Sequence, residues 1–471
     1  MHNGIFCCVR SGMSMKKYFS IVFVFLFTLN VSAQESDSIM LRKIYTEILL
    51  NGKAYEWLEH LSNKIGGRVS GSKEAEQAVE YVTGIMKQTG ADTVWLQEVM
   101  VPHWVRGLHE VAKILKSNQA VKPLQITALG GSVATSAEGV TASVIEVRSF
   151  DELKKLGADK VKGKIVFYNH VFDQTKINTF EAYGEAVRYR WYGASEASRY
   201  GAVASIVRSM SSSLDDYPHT GAQGYNDSLQ KIPTCAISTM GAEELSNTLK
   251  EDPKLTVYLK FNCSMQDSVK SYNVIGELRG KSKPEEILTI GGHLDAWETG
   301  KGANDDGAGV VQTLELMRSL KSLGIRPART IRAVIFMNEE NGLRGGRVYA
   351  SEAIRKNEKH IAAIESDCGS FTPYGFGLEM PEEKKVIIRN WAPLFRPYLI
   401  WNFEIDESGA DISPLINQAK VPGIGLIVDS QRYFDYHHAA SDTFDKINKR
   451  ELLLGAAAMA SLSYLLSTYG L

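Results

Sequence analysis

Between Gly291 and Gly309 the stretch GGHLDAWETGKGANDDGAG sets His293 and four acids, Asp295, Glu298, Asp305 and Asp306, among glycines directly after the apolar run ILTI. Other chemically capable residues share that placement. AVIFMNEEN carries Glu339 and Glu340, AAIESD carries Glu365 and Asp367, and YFDYHHAASDT carries His437 and His438. If the apolar runs are parallel neighbouring strands, these loops converge on one crevice, bringing at least five carboxylates to two or three imidazoles. Such a set repels itself unless cations neutralise it. Mixed histidine and carboxylate donors favour zinc, or cobalt or manganese as substitutes, over calcium. Each piece alone has a plainer reading: Asp305–Asp306 as a helix cap, Glu339–Glu340 as solvated acids, His438 as a core or surface histidine. Only their joint position at strand ends carries the metal reading.

The elements that must hold these residues follow from the apolar periodicity. From Tyr272 onward strands and helices alternate: VIGELRG and ILTIGG, the amphipathic GAGVVQTLELMRSLKSLG, TIRAVIFMN, GLRGGRVYASEAIRK, HIAAIES, PGIGLIV and the closing ELLLGAAAMASLSYLLS. This rhythm predicts an α/β domain with a mostly parallel sheet covered on both faces, its ligand crevice beyond the carboxyl ends of the strands. Residues 36–87 read as helices, ending on a C-terminal glycine, and TVWLQEVMVPHW alternates like a strand. Residues 106–270 read as short β runs interrupted by one helix, roughly Tyr183 to Tyr200, which makes a β-rich insert. Two stretches there, YRWYGASEASRYG and HTGAQGY, are aromatic and glycine-rich enough to cover a crevice, or equally form a packed helix and an ordinary loop. No Walker loop or dinucleotide fingerprint follows any strand.

The chain has 471 residues with 53 basic and 54 acidic side chains, a length for two domains or one with an insertion. The near-zero balance gives no reason to expect nucleic acid or an anionic membrane as partner. MKKYFSIVFVFLFTLNVSAQES, from Met15, has a basic start, a short apolar run and small residues before Ala33; it reads as a signal peptide over residues 1–33, for periplasmic or secreted export. No other segment reads as a transmembrane helix, so stable membrane insertion is not expected. Cys235, Cys263 and Cys368 are scattered and read as buried, inert thiols.

Taken in order, H-x-D, G-A-N-D-D-G-A-G, E-E, S-D-C-G and H-x-x-x-D-T resemble the two-zinc exopeptidases of peptidase family M28, its carboxypeptidase Q branch above all. The resemblance runs from about Ile39 to the end. It implies a three-layer α/β/α peptidase domain over 36–105 and 271–471, with residues 106–270 similar to a protease-associated domain. It also implies two Zn2+ per chain. His293 and Asp367 would bind one, Glu340 and His438 the other, and Asp305 both. Asp295 would hydrogen-bond the His293 imidazole, and Glu339 would be the general base on the attacking water. The family spacing to Asp442–Thr443 selects His438 over His437; Asp306 is an alternative bridge to Asp305, and its place before a helix suits a cap. Many aminopeptidases of the family carry S-D-H before the late helix, whereas ESGADISPL here has Asp411 and no histidine after it. The implied substrate is a short peptide, cleaved as a carboxypeptidase, with an aminopeptidase as the alternative. A glutaminyl cyclase and an inactive receptor-like relative are the more distant alternatives. A homodimer is compatible with the sequence.

Overall fold

The computed structural model describes Met1, residues 35–108 and residues 110–471. The signal-peptide segment expected from the sequence lies outside these residues.

A seven-stranded sheet organises the chemistry. Its order is Thr93–Val105, Ser264–Leu278, Arg329–Phe336, Lys283–His293, Lys359–Glu365, Gly423–Val428, Pro373–Glu379. The four strands from Arg329–Phe336 to Gly423–Val428 are parallel, and the outer three are joined through antiparallel pairings. Arg329–Phe336 is buried at every residue, as expected of a strand covered on both faces. Side chains alternate between two cores. Val274, Ala333 and Ile335 face the helices Ala308–Ser322 and Lys449–Tyr469, while Ile275, Val334 and Phe336 face Arg344–Arg355 and Ser413–Ala419. The architecture is therefore three layers, α/β/α. Lys449–Tyr469 is, among the described residues, the one helix long and apolar enough to cross a membrane by length and composition; sequence reading had passed it over on that count. It packs into the core.

The amino-terminal helices add to the same core. Ser72 starts Lys73–Gln88 by accepting from the Ala75 amide at 3.1 Å, a cap worth about 1 kcal/mol. Ala75, Ala78, Val79, Val82, Ile85 and Met86 form the buried stripe.

Residues 111–260 build a second, eight-stranded sheet. The chain enters and leaves it through the paired strands Thr93–Val105 and Ser264–Leu278. Three helices belong to this region, Phe150–Val161, Thr179–Arg199 and Thr239–Glu251, where the β periodicity had led to an expectation of one. The two additional helices carry readable starts. Ser149 accepts from the Glu152 amide while Glu152 accepts from the Arg148 amide, and Ser238 accepts from the Gly241 amide. The two units share packing: Val69, Trp104 and Trp297 belong to the core of the second sheet, and the two indoles meet edge to face at 6.2 Å.

Candidate metal centre

Four of the chemically capable loops leave the carboxyl ends of the parallel strands. His293 ends Lys283–His293, Glu339 and Glu340 follow Arg329–Phe336, Asp367 follows Lys359–Glu365, and His437–His438 follow Gly423–Val428 after short helical turns. Asp305 lies in the turn Ala303–Gly307, before the helix Ala308–Ser322, with a cis peptide to Asp306.

These side chains meet. His293 Nε2 is 3.2 Å from Asp305 Oδ1 and 3.3 Å from Asp367 Oδ1. His438 Nε2 is 3.2 Å from Asp305 Oδ2 and 2.9 Å from Glu340 Oε2. Asp305 thus turns one oxygen to each imidazole. The adjacent His437 is farther from the same oxygen, at 3.7 Å, and stacks on the His438 ring at 3.6 Å.

Both nearer imidazoles are held by backbone carbonyls. His293 Nδ1 pairs with the Asp295 carbonyl at 2.9 Å, and His438 Nδ1 with the Thr220 carbonyl at 3.2 Å. With Nδ1–H donated to these carbonyls, a ring that gives up its other proton would turn its Nε2 lone pair to a metal among the carboxylates. Here the structure departs from the sequence expectation for Asp295. Its carboxylate stands 4.0 Å from His293 Nδ1. Instead Oδ1 accepts from the amides of Asn338 and Glu339 at 2.7 and 3.1 Å, because that loop brings two unpaired donors closer than the ring.

Further residues brace the loops and were missed by sequence reasoning. Asp442 accepts from the Asn304 and Asp305 amides at 2.9 and 3.2 Å. It had appeared only as a spacing marker for His438. Arg68, fully buried, donates to the carbonyls of Leu294, Gly66, Lys301 and Gly302, so one guanidinium ties both halves of the glycine-rich stretch. No local pattern marks it. Asp306 accepts from the Gly309 amide at 2.8 Å and the His293 amide at 3.1 Å. Glu365 accepts from the Asp411 and Ile412 amides beside the cluster. Asp411 itself is buried, caps no helix, and has neither carboxylate oxygen partnered.

A cavity of about 360 Å³ opens over the cluster, a size suited to a small molecule. His293, Asp305, Glu339, Glu340, Asp367 and His438 line it. So do Arg190, Trp191 and Ala222, which come from the two stretches noted as able to cover a crevice.

A profile of peptidase family M28 matches residues 273–463. Carboxypeptidase Q of Bos taurus and that of Homo sapiens are each 36% identical to the chain over 415 residues, spanning 88% of it and 85% of the relative. The chain belongs to peptidase family M28. Membership makes it a metallo-exopeptidase. The solved peptidase M28 precursor from Shewanella amazonensis SB2B superposes with a TM-score of 0.88 at 32% identity, covering 92% of this chain and 97% of that one. A zinc aminopeptidase from Bacillus subtilis shares the fold, with a TM-score of 0.65 at 21% identity, covering 88% and 95%.

The donor set suits divalent metal. His293, Asp305 and Asp367 form one group of donor atoms within 4.8 Å of one another, and Asp305, His437 and His438 form another. Asp305 Oδ2, Glu340 Oε1 and Asp367 Oδ1 are buried with no hydrogen-bond partner. Electrostatics agrees. Burial, then the negative neighbours Asp367 and Glu340, hold Glu339 well above the usual carboxylate range against the pull of His293. Burial, with Asp305, pushes Glu340 up to about 7. Burial disfavours the charged form of His438, yet Glu340 and Asp305 outweigh it and raise the ring to about 10. Cations at this position would relieve the acid–acid repulsion directly.

Proposed function

We propose that the chain is a zinc-dependent exopeptidase that cleaves short peptides, dipeptides among them, in the carboxypeptidase manner of its Carboxypeptidase Q relatives. The observation that carries this reading is the split allegiance of Asp305, one oxygen toward His293 and Asp367, the other toward His438 and Glu340. His293 and Asp367 would hold one ion, His438 and Glu340 the second, and Asp305 both. Zinc fits the mixed imidazole and carboxylate donors. When bound, such a pair supplies Lewis-acid polarisation of a carbonyl and lowers the pKa of water.

The remaining chemistry falls to the chain's own groups. Glu339 lines the cavity, and the Asp295 carboxylate fixes its backbone amide. In this reading Glu339 takes a proton from the attacking water and hands it to the leaving amine nitrogen. Asp295 acts by positioning Glu339 and, through its carbonyl, His293. Residues 106–270, similar to a protease-associated domain, would close the cavity from the other side. The segment from Met15 would export the chain to the periplasm or beyond.

The test is a metal count on zinc-saturated protein together with a screen of X-Leu and Leu-X dipeptides. Two ions per chain and hydrolysis of unblocked dipeptides are expected. One ion at saturation removes the paired-metal reading, and no peptide hydrolysis by the loaded protein removes the function.

A further inference from the structure

Among the described residues, most buried arginines pair with a carboxylate, and Arg68 and Arg190 do not. Arg208 pairs with Glu243 at 2.6 Å, Arg329 with Glu286, and Arg332 with Glu277 and Glu358 at 2.7 Å each. Arg68 is shared among four carbonyls. Arg190, only 6% exposed, has no carboxylate within 4.0 Å among the described residues. Its guanidinium donates to the Tyr183 hydroxyl at 2.8 Å and the Thr220 carbonyl at 3.4 Å and lies beside His438, while its Nε is buried and unpartnered. A buried cation left without an anion is costly, so such groups are normally paired.

Arg190 is also in the cavity wall, on the helix Thr179–Arg199 that the second sheet carries. A second guanidinium, Arg347 of the helix Arg344–Arg355, lines the same cavity, exposed and likewise without a carboxylate partner. Of the acids lining this cavity, Asp305, Glu340 and Asp367 face the imidazoles of the cluster, and Glu339 is the proposed base.

We propose that Arg190, assisted by Arg347, binds the free α-carboxylate of the peptide's C-terminal residue, and so sets this site for carboxypeptidase rather than aminopeptidase cleavage. The inference rests on the peptidase reading above. The missing anion arrives with the substrate. For an exopeptidase acting at the C-terminus, an α-carboxylate lies one residue beyond the scissile carbonyl, about 3.8 Å along the chain from Cα to Cα. It therefore reaches a guanidinium next to the cluster, and a planar guanidinium matches a carboxylate's two oxygens. An α-ammonium beside Arg190 and Arg347 would meet two cations.

The experiment compares kcat/KM for Ala-Leu, N-acetyl-Ala-Leu and Ala-leucinamide on zinc-loaded wild type, Arg190→Gln, Arg190→Lys and Arg347→Gln, with zinc content measured on each. Wild type should accept the first two and discriminate against the amide by on the order of a hundredfold, the worth of a charge-assisted hydrogen-bond pair. In Arg190→Gln the Ala-Leu to Ala-leucinamide ratio should fall to within about threefold of one, Arg190→Lys should keep part of it, and Arg347→Gln should reduce it about tenfold. Inhibition by free leucine but not leucinamide should weaken in parallel, mainly as a KM-type effect. If Arg190→Gln loses zinc or fails to fold, the wild-type ratio and Arg347→Gln still decide. Wild type that hydrolyses Ala-leucinamide as well as Ala-Leu, or that ignores N-acetyl-Ala-Leu, overturns the carboxylate anchor while leaving a peptidase. Rescue of the amide by a glutamate side chain, as in Ala-glutamyl-amide, also overturns it. Hydrolysis of none of the three ends both readings.

Discussion

Gly221 gives the sharpest probe of how the second sheet and the candidate metal centre depend on each other. Its φ of +130° is one that side-chain-bearing residues rarely adopt, and its carbonyl accepts from the Gly130 amide at 2.9 Å. A Cβ built there would lie 2.5 Å from Arg190 Cζ and 2.6 Å from His438 Nδ1, where ordinary contact begins at 3.4 Å. In Gly221→Ala something must therefore shift by about 0.8 Å (3.4 less 2.6) at the imidazole. Neither neighbour is a loose side-chain end. Arg190 is tied to Tyr183 and Thr220, and His438 Nδ1 to the Thr220 carbonyl, whose own amide donates back to the His438 carbonyl at 2.9 Å. The backbone strain adds on the order of 1–3 kcal/mol. Loss of an outer-shell partner of a ligating histidine weakens metal by roughly 10- to 100-fold, and about 1 Å of misplacement costs on the order of a hundredfold in rate. A competitive zinc titration against a chromophoric chelator should show one ion weakened by that factor and the other unchanged within about threefold. Dipeptide turnover should fall about a hundredfold and recover partly in excess zinc. A folded Gly221→Ala protein with both zinc affinities intact would refute the idea that the second sheet positions His438.

Three further expectations follow from the same geometry. Glu339→Gln should retain zinc and thermal stability while losing about a hundred- to ten-thousandfold in kcat, checked by metal analysis and steady-state kinetics. Arg68→Met removes the guanidinium shared by the Leu294, Gly66, Lys301 and Gly302 carbonyls and should cost about 3 kcal/mol, read as a Tm lower by roughly 3 °C in calorimetry. His219, whose ring nitrogens are buried and unpartnered, is driven down from 6.5 to about 4, chiefly by burial. Because its folded pKa is the lower one, the unfolded chain takes the proton first, so its contribution is complete above pH 6.5 and is lost as pH falls toward 4, by up to about 3 kcal/mol. His219→Phe should flatten the fall of Tm between pH 7 and pH 5 relative to wild type; an unchanged slope would assign that fall to other groups.

What could be read from the linear chain was everything with a local period or a fixed spacing. The strand–helix alternation after Tyr272 announces a parallel core because burial on both faces leaves continuous apolar runs. The family motifs were legible because His293, Glu340 and Asp367 stand at or within four residues of the carboxyl ends of apolar runs, where a parallel sheet brings loops to a common edge. Even the two overlooked helices, Phe150–Val161 and Thr239–Glu251, had serine caps in plain view; β-like apolar runs on either side drew attention away from them.

Tertiary structure alone decided what spans long distances. Asp295 sends its carboxylate to Asn338 and Glu339 and only its carbonyl to His293, a choice set by which donors another strand delivers. The carbonyl that holds the His438 ring belongs to Thr220, 218 residues away. Arg68 and Arg190 reach the cluster from separate parts of the chain and belong to no motif. The physical reason is common to all of these. A hydrogen bond or a buried charge is satisfied by whichever partner folding brings within about 3 Å, and sequence separation carries no information about that distance.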